Sequence, residues 1–173
     1  MPLSTPPASL TTDRLVLRPW STDDTALAVA GDRAADWAED FPSGPDRMIA
    51  GLIAERPDWR GPYGHRLVVE RETGQVVGSI GLKWPPKEGV LELGYGIAPG
   101  HRGRGYATEA ARAVAEFGLT APGVHTVSAE VHPSNPASAR VLEKAGFVRW
   151  ETEEPLPQNM IRFRFVPGSP DAS

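Results

Sequence analysis

The stretch Ile97-Ala98-Pro99-Gly100-His101-Arg102-Gly103-Arg104-Gly105-Tyr106-Ala107-Thr108 runs from an apolar strand pattern through a glycine-rich turn into a helix-forming segment. A junction of this composition is suited to hold phosphates. Gly103 and Gly105 permit a tight turn and let the backbone approach a ligand with no Cβ in the way, and the first turn of the following helix presents N–H groups that have no partner inside the helix. Arg102 and Arg104 add positive charge, which favours a diphosphate over a neutral ligand.

Working upstream, Val90 to Ala98 reads as a strand feeding the turn. Before it, His65 to Arg71 and Gln75 to Trp84 are β-rich runs joined at Glu72-Thr73-Gly74, a hairpin connection. Arg14-Leu15-Val16-Leu17-Arg18 alternates polar and apolar as a strand does, Ser21-Thr22-Asp23-Asp24 resembles a helix start, and a second helix follows Pro45-Asp46 and ends near Arg56-Pro57. Downstream, Tyr106 to Leu119 has helical spacing and stops at Pro122-Gly123, and Val124 to Val131 reads as a strand. Strand, helix, strand predicts a right-handed crossover with parallel strands. A short helix from Ala137 to Lys144, closed by Gly146, precedes two last strands, Phe147 to Glu153 and Met160 to Val166. The pattern is mixed α/β in a single domain, residues 12–166, between Pro/Ser-rich segments at 1–11 and 167–173 expected to be disordered.

Composition removes alternatives. The 173 residues include no cysteine, which excludes disulfides, thiolate metal sites and a catalytic thiol. A net charge of -4 lacks the basic footprint of a nucleic-acid binder, so any anion site is local. The first residues lack the positive start and apolar core of a secretion signal, and no run approaches the roughly 18 apolar residues that span a bilayer. The expectation is a cytoplasmic protein with neither nucleic acid nor membrane as partner, a monomer or homodimer. The four histidines show no metal-ligand spacing.

Three nucleotide sites compete for the glycine turn. A P-loop requires Gly-Lys-Ser/Thr, but Tyr106-Ala107 follow Gly105. A dinucleotide fingerprint requires a third glycine where Thr108 stands, and the antiparallel strands upstream do not form a doubly wound sheet. The third is an acyl-CoA site. Arg102-Gly103-Arg104-Gly105-Tyr106-Ala107 fits the Arg/Gln-x-x-Gly-x-Gly/Ala signature of the GNAT superfamily of N-acyltransferases, with Ile97-x-Pro99 just before it and Asn135-x-x-Ser138 leading to Glu143-Lys144-Ala145-Gly146-Phe147 after it. With the opening Asp13-Arg14-Leu15-Val16-Leu17-Arg18-Pro19-Trp20, the chain resembles the branch containing the ribosomal-protein N-terminal (Rim-type) acetyltransferases.

That resemblance implies a central mixed sheet of about seven strands with about four helices, and a pair of strands splayed to admit the pantetheine arm of acetyl-CoA. Backbone groups of Tyr95, Ile97 and Ala98 would bond the arm and the thioester. The N–H groups of Gly103, Arg104, Gly105, Tyr106, Ala107 and Thr108, with the Arg102 and Arg104 side chains, would cradle the pyrophosphate. Asn135 would contact pantetheine or cap the next helix.

N-acylation requires a base to strip the ammonium and an acid for the leaving thiolate. Glu92 is the candidate base implied by its place on the strand, although its side chain, opposite Leu91, Leu93 and Tyr95, could equally face solvent. The tyrosine that commonly serves as acid is replaced here by Leu142, which leaves Ser138, one turn earlier, to bond the thiol sulfur, with His132 as a fallback. The acceptor amine would be met by the segment holding Trp37, Glu39, Asp40, Phe41, Trp59, Tyr63 and His65, whose aromatics read more readily as core anchors than as an amine cage. An N-terminal amino group of a protein or peptide is the expected acceptor. A small amine, or a silent CoA-binding sensor, are the alternatives.

Overall fold

The computed structural model describes residues 9–168. Eight strands form one sheet in the order β1-β2-β3-β4-β5-β6-β8-β7: β1 Leu10–Thr11, β2 Leu15–Pro19, β3 His65–Glu70, β4 Val76–Leu82, β5 Val90–Ile97, β6 Thr126–Val131, β7 Phe147–Arg149 and β8 Ile161–Phe165. Four helices accompany them: α1 Thr22–Ala30, α2 Gly44–Glu55, α3 Tyr106–Gly118 and α4 Pro136–Ala145. The mixed α/β architecture read from the sequence is the one observed.

Local chemistry sets the helix starts. Ser21 and Asp24 cap α1 reciprocally: the Asp24 amide donates to Ser21 Oγ at 3.0 Å and the Ser21 amide to Asp24 Oδ2 at 2.9 Å. Asn135 caps α4 by accepting the Ser138 amide at 3.1 Å. Helix α3 lies close on the sheet because the residues facing it are small: Ala110, Ala111, Ala115 and Gly118 are buried, and a Cβ on Gly118 would come within 3.1 Å of Leu82 and Val127 side chains.

Every neighbouring strand pair is antiparallel except β5–β6, which α3 connects and which is parallel, as the crossover predicts. Its register is short: Val90↔Thr126, Leu91↔Val127, Glu92↔Ser128. Beyond Glu92, β5 stays paired with β4 as far as Gly78↔Ile97, while β6 turns to β8 and pairs through Val131↔Ile161. The strands therefore diverge, and the β6-side edge of Leu93 to Ile97 has no ladder partner among the described residues.

Most strand ends fall within two residues of expectation, and two boundaries differ more. Leu10 and Thr11, expected in the disordered leader, pair with Leu17 and Val16, extending the sheet by one edge strand. The strand expected to run to Glu153 ends at Arg149, because β7 is the outer edge of the sheet and residues 151–155 are exposed, with no apolar side to bury. The expected disorder of residues 1–8 and 169–173 lies outside the described residues.

Candidate active site

The divergence opens a cavity of about 500 Å³. Of the residues the sequence singled out for the donor, Tyr95, Ile97, Arg102, Gly103, Gly105, Tyr106, Ala107, Thr108, Asn135 and Ser138 line it, whereas Ala98 and Arg104 do not. The Ala98 N–H donates to Val77 O at 2.7 Å and its carbonyl accepts the His101 amide at 2.9 Å, which ties it to β4 and the turn.

The turn has the backbone that its glycines predict. Gly103 and Gly105 sit at φ 79° and 82°, left-handed values that disfavour any side chain. Gly105 is also the N-cap of α3 and supplies no side chain to accept the helix's first amides. The arginines are already engaged: Arg102 Nε donates to Ile97 O at 2.8 Å, and Arg104 Nη1 donates to Glu70 Oε2 at 3.2 Å.

Glu70 was not foreseen. Buried at the end of β3, it accepts the Tyr106 hydroxyl and the Thr73 hydroxyl as well as Arg104, and these bonds, the Tyr106 one foremost, hold its carboxyl below the usual range against the opposing effect of burial. On the other side, Arg14 donates to Glu109 Oε1 at 2.8 Å and to Arg104 O at 2.6 Å, and its guanidinium lies 4.8 Å from the centre of the Tyr106 ring. Two charged groups distant in sequence thus brace the turn. Nothing in the sequence around either one marks it for that role.

Within the cavity lining, Tyr95 Oη and Ser138 Oγ lie 2.6 Å apart. Burial raises the Tyr95 phenol above its ordinary pKa, partly offset by the Ser138 bond. Leu142, in the position where a tyrosine was sought, is fully buried core. His132 bonds Ser134 Oγ at 2.6 Å and does not line the cavity.

Glu92 is on the opposite face. Strand alternation groups it with Gly94 and Gly96, and Gly96 pairs with Ser79, whose hydroxyl donates to Asp46 of α2 at 2.6 Å. Glu92 therefore faces the α2 side, at the last rung before the strands part. Lys83 Nζ reaches its carboxylate at 2.5 Å. Glu130, two residues beyond Ser128 on β6 and directly opposite Arg162 on β8, completes a charged row. Its carboxyl is raised by burial and by its hydrogen bond to Glu92, with Arg162 and Lys83 acting in the other direction. The sequence signal for Glu130 was the predicted crossover itself, since parallel neighbours with the same alternation bring 92, 128 and 130 to one face.

The residues proposed to meet the acceptor are mostly core. Trp37 and Phe41 pack with Trp20, ring centres 5.3–6.4 Å apart, and Trp59 packs on His65 at 4.9 Å. Tyr63 is half-buried between Trp84 and Phe117. Glu39 and Asp40 are exposed, and Asp40 accepts the Gly100 amide at 2.7 Å, fastening this segment to the donor turn. Among the described residues no group of three or more potential ligands could hold a metal ion, and no helix is long and apolar enough to cross a membrane.

A parallel pair parted over a glycine-capped helix is the architecture of an acyl-CoA cleft, and the comparisons give it a family. The family described as "Acetyltransferase (GNAT) domain" matches residues 14–148. The chain belongs to this family of N-acetyltransferases. It is 31% identical to the uncharacterized N-acetyltransferase YoaA of Bacillus subtilis over 145 residues, 80% of this chain and 81% of that one. With the uncharacterized N-acetyltransferase p20 of Bacillus licheniformis it shares 31% identity over 81 residues, and the match spans only about half (46%) of each. Among solved structures, an acetyltransferase from Agrobacterium tumefaciens superposes with a TM-score of 0.69 at 25% identity, covering 96% of this chain and 98% of that one. A ribosomal-protein-S5-alanine acetyltransferase from Vibrio fischeri superposes at 0.65 with 18% identity, covering 92% and 97%, a likeness of fold alone.

Proposed function

We propose that this protein transfers the acetyl group of acetyl-CoA to a primary amine by direct attack in a ternary complex, with the N-terminal amino group of a protein or peptide as the favoured acceptor. The observation that carries this reading is the divergence of β5 and β6 after Glu92: it bares a backbone edge on one side of the strand and sets a carboxylate at the apex on the other. The donor set suits acetyl-CoA. The uncapped first turn of α3 and the left-handed glycines offer main-chain N–H groups to a pyrophosphate, and the β6-side edge at Tyr95 offers strand-like bonding to a pantetheine arm. The N-terminal acceptor is favoured by the likeness to the ribosomal-protein branch in the opening strand and at Ser138.

In this reading Glu92 takes the proton of the ammonium, directly or through water, while Lys83 holds the carboxylate in place. Glu130, with its raised pKa, is the neighbour suited to share that proton. Ser138 meets the departing sulfur. The enzyme acts in the cytoplasm, as a monomer or homodimer.

The test is thiol release from acetyl-CoA against a panel of N-terminal peptides, polyamines, aminoglycosides and free amino acids. Saturable release with peptides is the expected result. Release with small amines only would move the acceptor to that class, and saturable acetyl-CoA binding with no release on any acceptor would replace the enzyme by a sensor.

A further inference from the structure

Leu142 is buried among apolar side chains, so α4 offers no hydroxyl at that position, but other hydroxyls line the cleft. Two of them meet there. Tyr95 Oη, from β5, and Ser138 Oγ, from the first turn of α4, are 2.6 Å apart, and both residues line the cavity. Neither is loosely held: the Ser138 amide is bound by Asn135, and Tyr95 packs against the core.

The sense of the bond follows from chemistry. A phenol is far more acidic than an aliphatic alcohol, so the better donor in the pair is Tyr95. Among the described residues its hydroxyl also meets the Ser138 carbonyl, but at 3.3 Å, so the single phenolic proton is better placed on Oγ at 2.6 Å. When Tyr95 donates to Oγ, Ser138 keeps its own proton for a third group, and accepting a bond makes that proton easier to give. A serine alone is a poor acid; a serine backed by a phenol is a better one.

We propose that Tyr95 is the positioning residue that makes Ser138 an effective acid toward the departing CoA sulfur. The proposal rests on the transferase reading above. As the carbon–sulfur bond breaks, its electron pair goes to sulfur, the Ser138 proton passes to sulfur, and the Tyr95 proton passes to Ser138 Oγ. The proton shed by the acceptor nitrogen returns through water to the phenolate, so one turnover leaves both hydroxyls as they began. Burial of the phenol, which disfavours its ionised form, keeps Tyr95 protonated between turnovers. The missing hydroxyl of α4 is thereby supplied from the strand across the cleft.

The full-length protein and three variants, Tyr95→Phe, Ser138→Ala and the double substitution, decide the matter. Tyr95→Phe keeps the ring and its packing. It is expected to lower kcat about 10- to 100-fold while the acetyl-CoA Kd stays within about two-fold and the melting temperature holds. The double variant is expected to be no slower than Ser138→Ala, because Tyr95 works only through that hydroxyl. A wild-type rate in Tyr95→Phe, multiplied losses in the double variant, or a loss confined to CoA affinity would each overturn the proposal while leaving the transferase reading intact. A wild-type protein that binds acetyl-CoA and releases no thiol on any acceptor would overturn both.

Discussion

The two sides of β5 beyond Glu92 are built from different material. On the side proposed for the donor the groups on offer are main chain: glycines at positive φ, the first amides of α3 and a strand edge without a ladder partner among the described residues. On the side proposed for the acceptor they are side chains in a row, Lys83 just past the end of β4, Glu92 on β5, Glu130 on β6 and Arg162 on β8. Main-chain sites tolerate many side chains but not a Cβ at the wrong place; side-chain sites tolerate backbone variation but not the loss of one charge. The same strand therefore has two kinds of fragility.

Substitution at the glycines should break the donor side outright. Gly103→Glu or Gly105→Asp places a side chain on a left-handed backbone and an anion where the diphosphate belongs, and acetyl-CoA binding measured by calorimetry should be abolished. Binding at wild-type affinity would refute the cradle. On the acceptor side, Glu92→Gln should lower kcat about 100-fold with little change in CoA affinity. An unchanged pH–rate profile in that variant would remove Glu92 as the base.

A smaller effect is on the stability of the sheet that carries both sides, and it depends on pH. His65 is buried on β3 with no hydrogen-bond partner for Nε2, and burial, helped by the Lys83 charge, pushes its pKa down from 6.5 to about 4. Because the folded protein keeps the imidazole neutral and the unfolded chain protonates it, stability is lost as pH falls below 6.5, and the loss is complete near pH 4. It amounts to about 3 kcal/mol. Urea unfolding at pH 7 and pH 4.5 should show the drop in wild type and a flatter dependence in His65→Phe; equal slopes would sink the assignment.

The same contrast explains what could be read from the sequence. The donor turn was legible because glycine spacing, a strand before and a helix after are local facts, and nearly all the residues named for it line one cavity. Ala98 stands apart from that cavity, its amide used by β4 in a long-range pairing. Glu70, Arg14 and Lys83 were invisible for the same reason: each acquires its role from a residue 9 to 95 positions away. The Tyr95 side chain was passed over in favour of its backbone, since alternation gives a face but not a hydroxyl 43 residues distant. At the sheet margins, Leu10–Thr11 and the early end of β7 depended on whether a neighbouring edge was present, which local composition does not state.

An open edge in a β-sheet is ordinarily a hazard, because it can recruit a strand from another molecule. Here the bare edge of Leu93 to Ile97 lies in the interior of the sheet, with β6 flanking it and the Glu92–Ser128 rung sealing one end. An intruding polypeptide would carry side chains on both of its faces, and on one of them it would collide with the Tyr95–Ser138 contact. The wedge is therefore open to a slender, unbranched chain and closed to the strands that seed aggregation.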